Sequence, residues 1–309
     1  MLIVGSKALK HHFPQINREV KDIDIIGTND NIKYLINALD PRKVRETKHI
    51  TTLIDIQRPN EFFNTKNVEI LNADNSESLR KYINYDTHNG YLGNGLRFAS
   101  PEVILSLKKS HIHFPIKFDK HISDYCFLIN HFNGVDKLSD ITKLNFKETE
   151  ERVGKLRTPS LNKSTKEFFG QSDGFVQTFF IHDDIHRVMA HYDMPLYERM
   201  QKDSTLAKCE KDMWNEFTFE DKCKCVLEEA YVIALERKVL PSVFGGKKWV
   251  SPEEAINWSL MRVCTTLCSG WFRQFATDNY LKIKDFINKD YVEKFLTAYQ
   301  NGEIRKNKS

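Results

Sequence analysis

The chain has 309 residues, of which 40% are hydrophobic and 28% are charged, and its formal net charge is +4. This composition excludes an intrinsically disordered chain, and the length allows two domains. No run approaches the roughly eighteen consecutive apolar residues that a membrane helix needs, so we expect no membrane partner. The weak positive charge permits contact with nucleotides or nucleic acid without requiring it.

The first part of the chain, to about residue 130, alternates short β-rich runs with helical stretches. Strands are predicted over residues 2–4, 22–26, 49–57 and 68–72. A helix is predicted over residues 32–39 and ends before Pro41, because proline disfavours helical conformation in the residue before it. Ser100-Pro101-Glu102 predicts another helix start, since Ser can cap, Pro fits the first turn and Glu favours the positive helix end.

The second part is polar first and then mostly helical. Residues 135–175 are rich in Lys, Asn, Ser, Thr and Gly and predict a connecting segment. Helices are predicted over residues 176–191, 222–238, 251–275 and 291–299. The expected fold is therefore α+β, with a mixed-sheet domain at 1–134, a connection at 135–175 and a mainly α-helical domain at 176–309.

Six cysteines are scattered through the chain, and its start lacks a basic and then apolar signal segment. We therefore expect reduced thiols and a cytoplasmic location. Cys223-x-Cys225 and Cys264-x-x-x-Cys268 lack the spacing typical of zinc sites, so thiols buried in the core are favoured.

Two acids stand out on the second predicted strand. Asp22 and Asp24 alternate with isoleucines, and because side chains at i and i+2 share one face of a strand, the two carboxylates project together. Adjacent carboxylates repel each other unless a cation lies between them, and Mg²⁺ prefers such oxygen ligands. Gly5 and Ser6, after the first strand, are suited to bind phosphate through the backbone and the hydroxyl.

Two-metal phosphoryl transfer generally needs a third acid close to such a pair. Glu69 and Asp55 each lie between apolar neighbours on a predicted strand, and either could face the pair.

These motifs resemble the polymerase-β-like nucleotidyltransferase superfamily, whose small members combine a Gly-Ser turn, an Asp-x-Asp strand and a later acid on an apolar strand. The resemblance covers roughly residues 1–130. It implies a nucleotidyltransferase-like sheet and favours Glu69 over Asp55, because the third acid of that superfamily commonly follows a hairpin. The fifteen residues between Ser6 and Asp22 are a long interval for this superfamily.

A second stretch is similar to the abortive-infection (AbiEii-like) class of nucleotidyltransferase toxins. The similarity lies in Ser100-Pro101-Glu102, in Lys108 about two turns later, and in Lys120 and Asp124. His121 stands where that class has an aspartate. The similarity implies that Lys108 contacts the triphosphate and that Asp124 holds this lysine or the nucleophile in place.

Together the resemblances imply Mg²⁺-dependent transfer of a nucleoside monophosphate from a nucleoside triphosphate, ATP or GTP among them. The acceptor would be RNA, tRNA, another nucleic acid, a protein or a small molecule, bound at a site shaped by the helical domain. Two Mg²⁺ ions would be held by Asp22, Asp24 and Glu69. The triphosphate would be bound by Gly5, Ser6, Lys108 and Asp124.

Two alternatives stay open. The first is a catalytically inactive nucleotide- or partner-binding module of the same fold. The second is a metal phosphohydrolase in the C-terminal half, since His182 and His186 share one helical face at a spacing that can chelate a metal, with Asp183 beside them.

Overall fold

A computed structural model provides the structure of the chain. It describes residues 1–39, 41–47, 51–56, 63, 67–86, 95–113, 117–161, 182–192, 194–195, 211–239, 251–266 and 270–305. These residues form an α+β fold, with a six-stranded mixed sheet in the N-terminal part and helices throughout the C-terminal part, which confirms the expected class. None of the helices in the described ranges is long and apolar enough to cross a membrane.

The sheet is built from β1 (Leu2–Val4), β2 (Asp22–Gly27), β3 (Pro41–Thr47), β4 (Thr51–Ile56), β5 (Asn67–Asn72) and β6 (Arg97–Phe98). Their order across the sheet is β3-β4-β5-β2-β1-β6. Neighbouring strands are antiparallel except for the parallel pairs β2 with β5 and β1 with β6. All four predicted strands are present, and β3 and β6 are additions that the sequence pattern did not indicate.

The N-terminal helices are α1 (Gly5–His12), α2 (Asn29–Leu39), α3 (Glu77–Tyr85) and α4 (Pro101–His111), with one 3₁₀ turn at Ala73–Asn75. Helix α4 begins where the Ser-Pro-Glu motif predicted, and the Ser100 hydroxyl accepts a hydrogen bond from the Val103 amide at 3.4 Å. Helix α2 packs on β2, β3, β4 and β5 and buries Ile32 and Leu35.

The two faces of the sheet differ in burial. In β2, β4 and β5 alternate residues are buried, among them Ile23, Ile54 and Val68, while the residues between them are only half-buried or exposed. Since side chains alternate between the faces of a strand, one face is closed by α2 and its apolar contacts. The other face is open and carries the acids of these strands, Asp22, Asp24, Asp55 and Glu69, which are half-buried.

The chain divides into two compact units, each described separately below. The first unit comprises Met1–Leu107 and Phe132–Asn145, and the second comprises Lys108–His131 and Phe146–Ser309. This division differs from the predicted domain boundary after residue 134, because the chain returns to the first unit at residue 132.

The predicted connection at 135–175 is also corrected in its first part. It begins with a 3₁₀ turn at Val135–Lys137 and continues as helix α6 (Asp140–Leu161). The buried residues Thr142, Phe146, Thr149 and Val153 recur at helical spacing, so a sequence that is polar on average still has one buried face. Residues 162–175 lie outside the described ranges.

The remaining helices are α5 (Phe118–His131), α7 (His182–Ala190), α8 (Lys211–Glu216), α9 (Phe219–Ala234), α10 (Pro252–Thr266), α11 (Gly270–Asp278), α12 (Tyr280–Asp285) and α13 (Asp290–Gln300), with a π turn at Leu235–Val239. The mainly helical C-terminal prediction is therefore confirmed. Cys126, Cys223, Cys225 and Cys264 are buried and are not joined by disulfides, as expected for core thiols.

Candidate active site

The turn between β1 and α1 brings Gly5 against Asp24. Gly5 has a φ of +63°, and a Cβ built on it would overlap the Asp24 carboxylate. Only glycine combines this backbone conformation with so close an approach. The predicted Gly-Ser turn and the predicted acid of β2 are therefore in direct proximity.

The residue before helix α1 does not cap the helix with its side chain. Val4 precedes the helix and provides no side-chain hydrogen bond, and the first turn contains no acidic residue. Ser6 is buried, and its hydroxyl has no hydrogen-bond partner among the described residues. The first N–H groups of a helix lack intrahelical acceptors and favour an anion, so this turn has the chemistry of a phosphate site.

The acids are aligned by the register of the parallel strands β2 and β5. Asp24 lies opposite Glu69, and Asp22 lies opposite Asn67. Neighbouring strands are about 4.8 Å apart, so Glu69 is one strand from Asp24 on the same face. Asp22, Asp24 and Glu69 are all half-buried and border the open side of the sheet.

Asp55, the other candidate for the third acid, lies on the same face but further away. Its partner on β5 is Asn67, which separates it from Asp22. Two strand spacings, about 10 Å, therefore lie between Asp55 and Asp22. The register favours Glu69, as the family resemblance does.

The donor set suits Mg²⁺ better than a metal held by protein ligands alone. Among the described residues, no group of three or more His, Cys, Asp and Glu side chains is close enough to hold a metal ion. The three predicted ligands thus do not form a preformed cage. Mg²⁺ usually takes only one or two carboxylates and completes its shell with water and substrate phosphate, and the pairs Asp22–Asp24 and Asp24–Glu69 fit that requirement.

A cavity of about 340 Å³ lies in the first unit beside these acids. Its lining residues are Lys21, Asp22, Lys43, Arg45, Leu53, Ile54, Asp55, Asn67, Val68 and Glu69. The sequence did not indicate the basic residues of this cavity, because strand β3 was not recognised. The alternation Lys43-Val44-Arg45 was the signal that could have placed two cations on one face.

Lys108 and Asp124, both predicted to bind nucleotide, belong to the second unit. The Lys108 ammonium lies 2.7 Å from the Asp124 carboxylate, and both side chains are buried. The pairing that the resemblance implied is present, as a buried ion pair, and the contact with triphosphate stays a prediction.

Two imidazoles accompany this pair. His121 Nδ1 is 3.5 Å from the Lys108 ammonium, and the His121 ring stacks on His111 with centroids 4.7 Å apart. Partial burial and then the neighbouring Lys108 lower the pKa of His121 to about 3, so this imidazole is neutral near pH 7.

A second group of charged residues in the same unit consists of two buried cations around the half-buried Glu150. Lys109, only 1% exposed, contacts Glu150 at 2.9 Å, and Glu150 contacts Arg273 at 2.7 Å. Gln274 accepts from Lys109 and donates to Asp278. We refer to Lys109, Glu150 and Arg273 as the buried ion cluster.

The predicted metal residues of the C-terminal half lie on α7. The side chains of His182, Asp183 and His186 are outside the described part of the structure, so the phosphohydrolase alternative stays a prediction. The neighbouring Asp184 is buried and accepts hydrogen bonds from Arg305 and Arg187.

Comparison with known proteins gives a family but no activity. The chain belongs to the family described as Domain of unknown function (DUF7275), whose model matches residues 103–295. The model of a second such family, DUF7277, matches residues 1–116. The two matches overlap over residues 103–116, a range that includes the first division between the compact units, after Leu107. No curated protein and no solved structure matches the chain significantly.

Proposed function

We propose that this protein is a Mg²⁺-dependent nucleotidyltransferase whose chemistry takes place on the open sheet face of the first unit. The observation that carries the proposal is the contact of Gly5 with Asp24, with Glu69 in register on the next strand. A helix start that suits phosphate thus lies beside carboxylates that suit a divalent cation. These are the two groups that a nucleoside triphosphate with Mg²⁺ requires.

In the proposed reaction, an acceptor hydroxyl attacks the α-phosphorus of the nucleoside triphosphate. A bond forms between the acceptor oxygen and that phosphorus, the bond to the β-phosphate bridging oxygen breaks, and pyrophosphate leaves. Asp24 or Glu69 takes the hydroxyl proton, while the amides of Gly5 and Ser6 and the Ser6 hydroxyl bind the phosphates.

Asp22, Asp24 and Glu69 are the residues that would hold Mg²⁺, in pairs completed by substrate oxygens. When bound, Mg²⁺ would neutralise charge on the triphosphate and lower the pKa of the acceptor hydroxyl. The Asp22 side chain makes no hydrogen bond or ion pair with any other described residue, so its charge is available for this role.

The proposal is tested by incubating the protein with each α-labelled nucleoside triphosphate, Mg²⁺ and total cellular RNA, DNA or protein. We expect label to appear in one acceptor class and to disappear when the metal is chelated. Asp22→Asn and Glu69→Gln should each lower transfer by at least about a hundredfold, since each removes a ligand from the reacting centre. Asp55→Asn is the matched control and should retain most activity.

The outcomes separate the alternatives. Full transfer by Asp22→Asn contradicts the assignment of the acids. Binding of triphosphate and Mg²⁺ in calorimetry, without turnover against any acceptor, favours the inactive module. If Asp55→Asn abolishes transfer and Glu69→Gln does not, Asp55 is the third acid.

A further inference from the structure

Two basic side chains lie on the same open face as the acids. Lys43 and Arg45 belong to β3, the edge strand, and are exposed. In register, Lys43 lies opposite Asp55, and Arg45 lies opposite Leu53. Both line the 340 Å³ cavity, together with Lys21.

The strand register places these cations in line with the acids. One row across the sheet runs from Arg45 through Leu53 and Glu69 to Asp24. At about 4.8 Å per strand, Arg45 is about 10 Å from Glu69 and about 14 Å from Asp24. The parallel row runs from Lys43 to Asp22 over the same number of strands.

These cations are not engaged within the part of the chain that the structure describes. The side chains of Lys43 and Arg45 make no hydrogen bond or ion pair with another described residue. Asp55, the nearest acid in register, likewise has no such bond. The positive charge at this edge is therefore available for a ligand with anionic groups.

A triphosphate bound at the Gly5 turn would not reach Lys43 and Arg45. The Gly5 turn follows β1, and β3 lies on the other side of the acids, four strand spacings or about 19 Å from β1. A triphosphate bound at the turn is too short to span that distance. An acceptor whose reacting hydroxyl lies at the acids, with a phosphate one or two nucleotides away, would reach Lys43 and Arg45.

We propose that Lys43 and Arg45 bind the phosphodiester backbone of a single-stranded polynucleotide whose terminal hydroxyl is the acceptor. This inference rests on the proposed function, because the acids define where the reacting end lies. It extends that function by identifying the acceptor as a nucleic acid. The backbone of a nucleic acid has phosphates at regular distances from its terminal hydroxyl.

The test is binding of fluorescein-labelled single-stranded RNA and DNA of the same mixed sequence, measured by anisotropy in metal-free buffer over a range of salt concentrations. Lys43→Ala with Arg45→Ala should weaken binding roughly tenfold at low salt. The slope of log affinity against log salt should fall by about 0.7 for each phosphate contact removed, or about 1.4 in all. The RNA and DNA arms show which polynucleotide is preferred.

The matched control is Lys33→Ala with Lys137→Ala, which removes the same charge from two exposed lysines that do not line the cavity. It should bind nearly as the wild type does. Asp22→Asn should also bind normally while losing transfer, which separates binding from chemistry. Thermal unfolding of each variant checks that the exposed substitutions leave the fold intact.

Equal binding by the Lys43 and Arg45 double variant and the wild type would overturn the inference. The two cations would then serve only to keep an edge strand from pairing with another chain, and the variant should aggregate more readily. The double variant could lose oligonucleotide binding while the wild type shows no transfer to any acceptor. That result would contradict the proposed enzyme and support the polynucleotide-binding surface. Transfer of label to protein alone, without oligonucleotide binding, would also contradict the inference.

Discussion

The two units differ in whether the charged side chains of their sites are paired with an opposite charge. On the open sheet face of the first unit, the Asp22 side chain is half-buried and makes no hydrogen bond or ion pair with another described residue. In the second unit, Lys108 with Asp124 and the buried ion cluster are closed into pairs at 2.7 to 2.9 Å. Charges that the fold has neutralised stabilise one packing arrangement, whereas charges that it leaves open are suited to a ligand.

We expect the largest loss of stability when the Lys108–Asp124 pair is broken. Asp124→Asn leaves the Lys108 ammonium buried without its counter-charge, and we expect a loss of about 3–5 kcal/mol in the free energy of unfolding. Chemical denaturation measures this loss. A loss comparable to that of an exposed pair would contradict the burial of Lys108 and Asp124.

The control for this prediction is a second ion pair of the same length. Lys289 lies 2.7 Å from Glu253, yet both side chains are more than half exposed. Water and salt screen such a pair, so Glu253→Gln should leave the denaturation midpoint unchanged within measurement error. The contrast between the two variants isolates burial, because the distance between the charged atoms is the same.

A somewhat smaller effect, with a distinct pH dependence, is expected for the buried ion cluster. Burial alone would raise the pKa of Glu150, but Lys109 and Arg273 hold it down to about 2. A carboxyl whose pKa is lower in the folded than in the unfolded state stabilises the fold above the unfolded pKa of about 4.3. This stabilisation is lost as the pH falls toward 2.

Glu150→Gln should therefore lower the free energy of unfolding by roughly 2–3 kcal/mol at pH 7, since two buried cations lose their shared counter-charge. The difference from the wild type should stay constant down to about pH 5 and then narrow as the pH falls further. Urea denaturation at several pH values measures it. The exposed Glu151→Gln is the control, and a difference independent of pH would contradict the ionic role of Glu150.

The strand that carries Asp22 and Asp24 could be predicted from the sequence because the information was local. Alternation of Asp22 and Asp24 with isoleucines indicated a strand with one polar face, and the strand has that face. The neighbour of Asp24 could not be found in this way, since Glu69 belongs to a strand 45 residues later that pairs in parallel. Register between distant strands depends on tertiary packing, which a local pattern does not contain.

Strand β3, the buried ion cluster and helix α6 were not predicted from the sequence for related reasons. Strand β3 begins at Pro41 and is rich in charged residues, so its β propensity is low, and it forms because β4 pairs with it at the sheet edge. The buried ion cluster was also missed, because Glu150 and Arg273 are 123 positions apart. Helix α6 was predicted as a connection because its average polarity was considered rather than its buried face.

The smallest predicted effect compares two glycines and tests the contact on which the proposed active site depends. Gly5 and Gly95 have φ angles of +63° and +72°, but a Cβ would overlap Asp24 at Gly5 and would meet nothing within 4 Å at Gly95. Gly95→Ala should lower the free energy of unfolding by about 1 kcal/mol, because alanine disfavours the positive φ angle but meets no neighbouring atom there. Gly5→Ala should lose roughly 1 kcal/mol more and should also lose transfer activity, because Asp24 must move.

A double-mutant cycle with Asp24→Ala assigns that extra loss to the contact. In the Asp24→Ala background the alanine at position 5 no longer meets a carboxylate, so the penalties of Gly5→Ala and Gly95→Ala should converge. Urea denaturation of the wild type, the three single variants and the two double variants gives the four penalties, two in each background. Penalties that are equal already in the wild-type background would mean that the Asp24 carboxylate does not lie against the turn, and the phosphate and metal groups of the proposed site would then be separate.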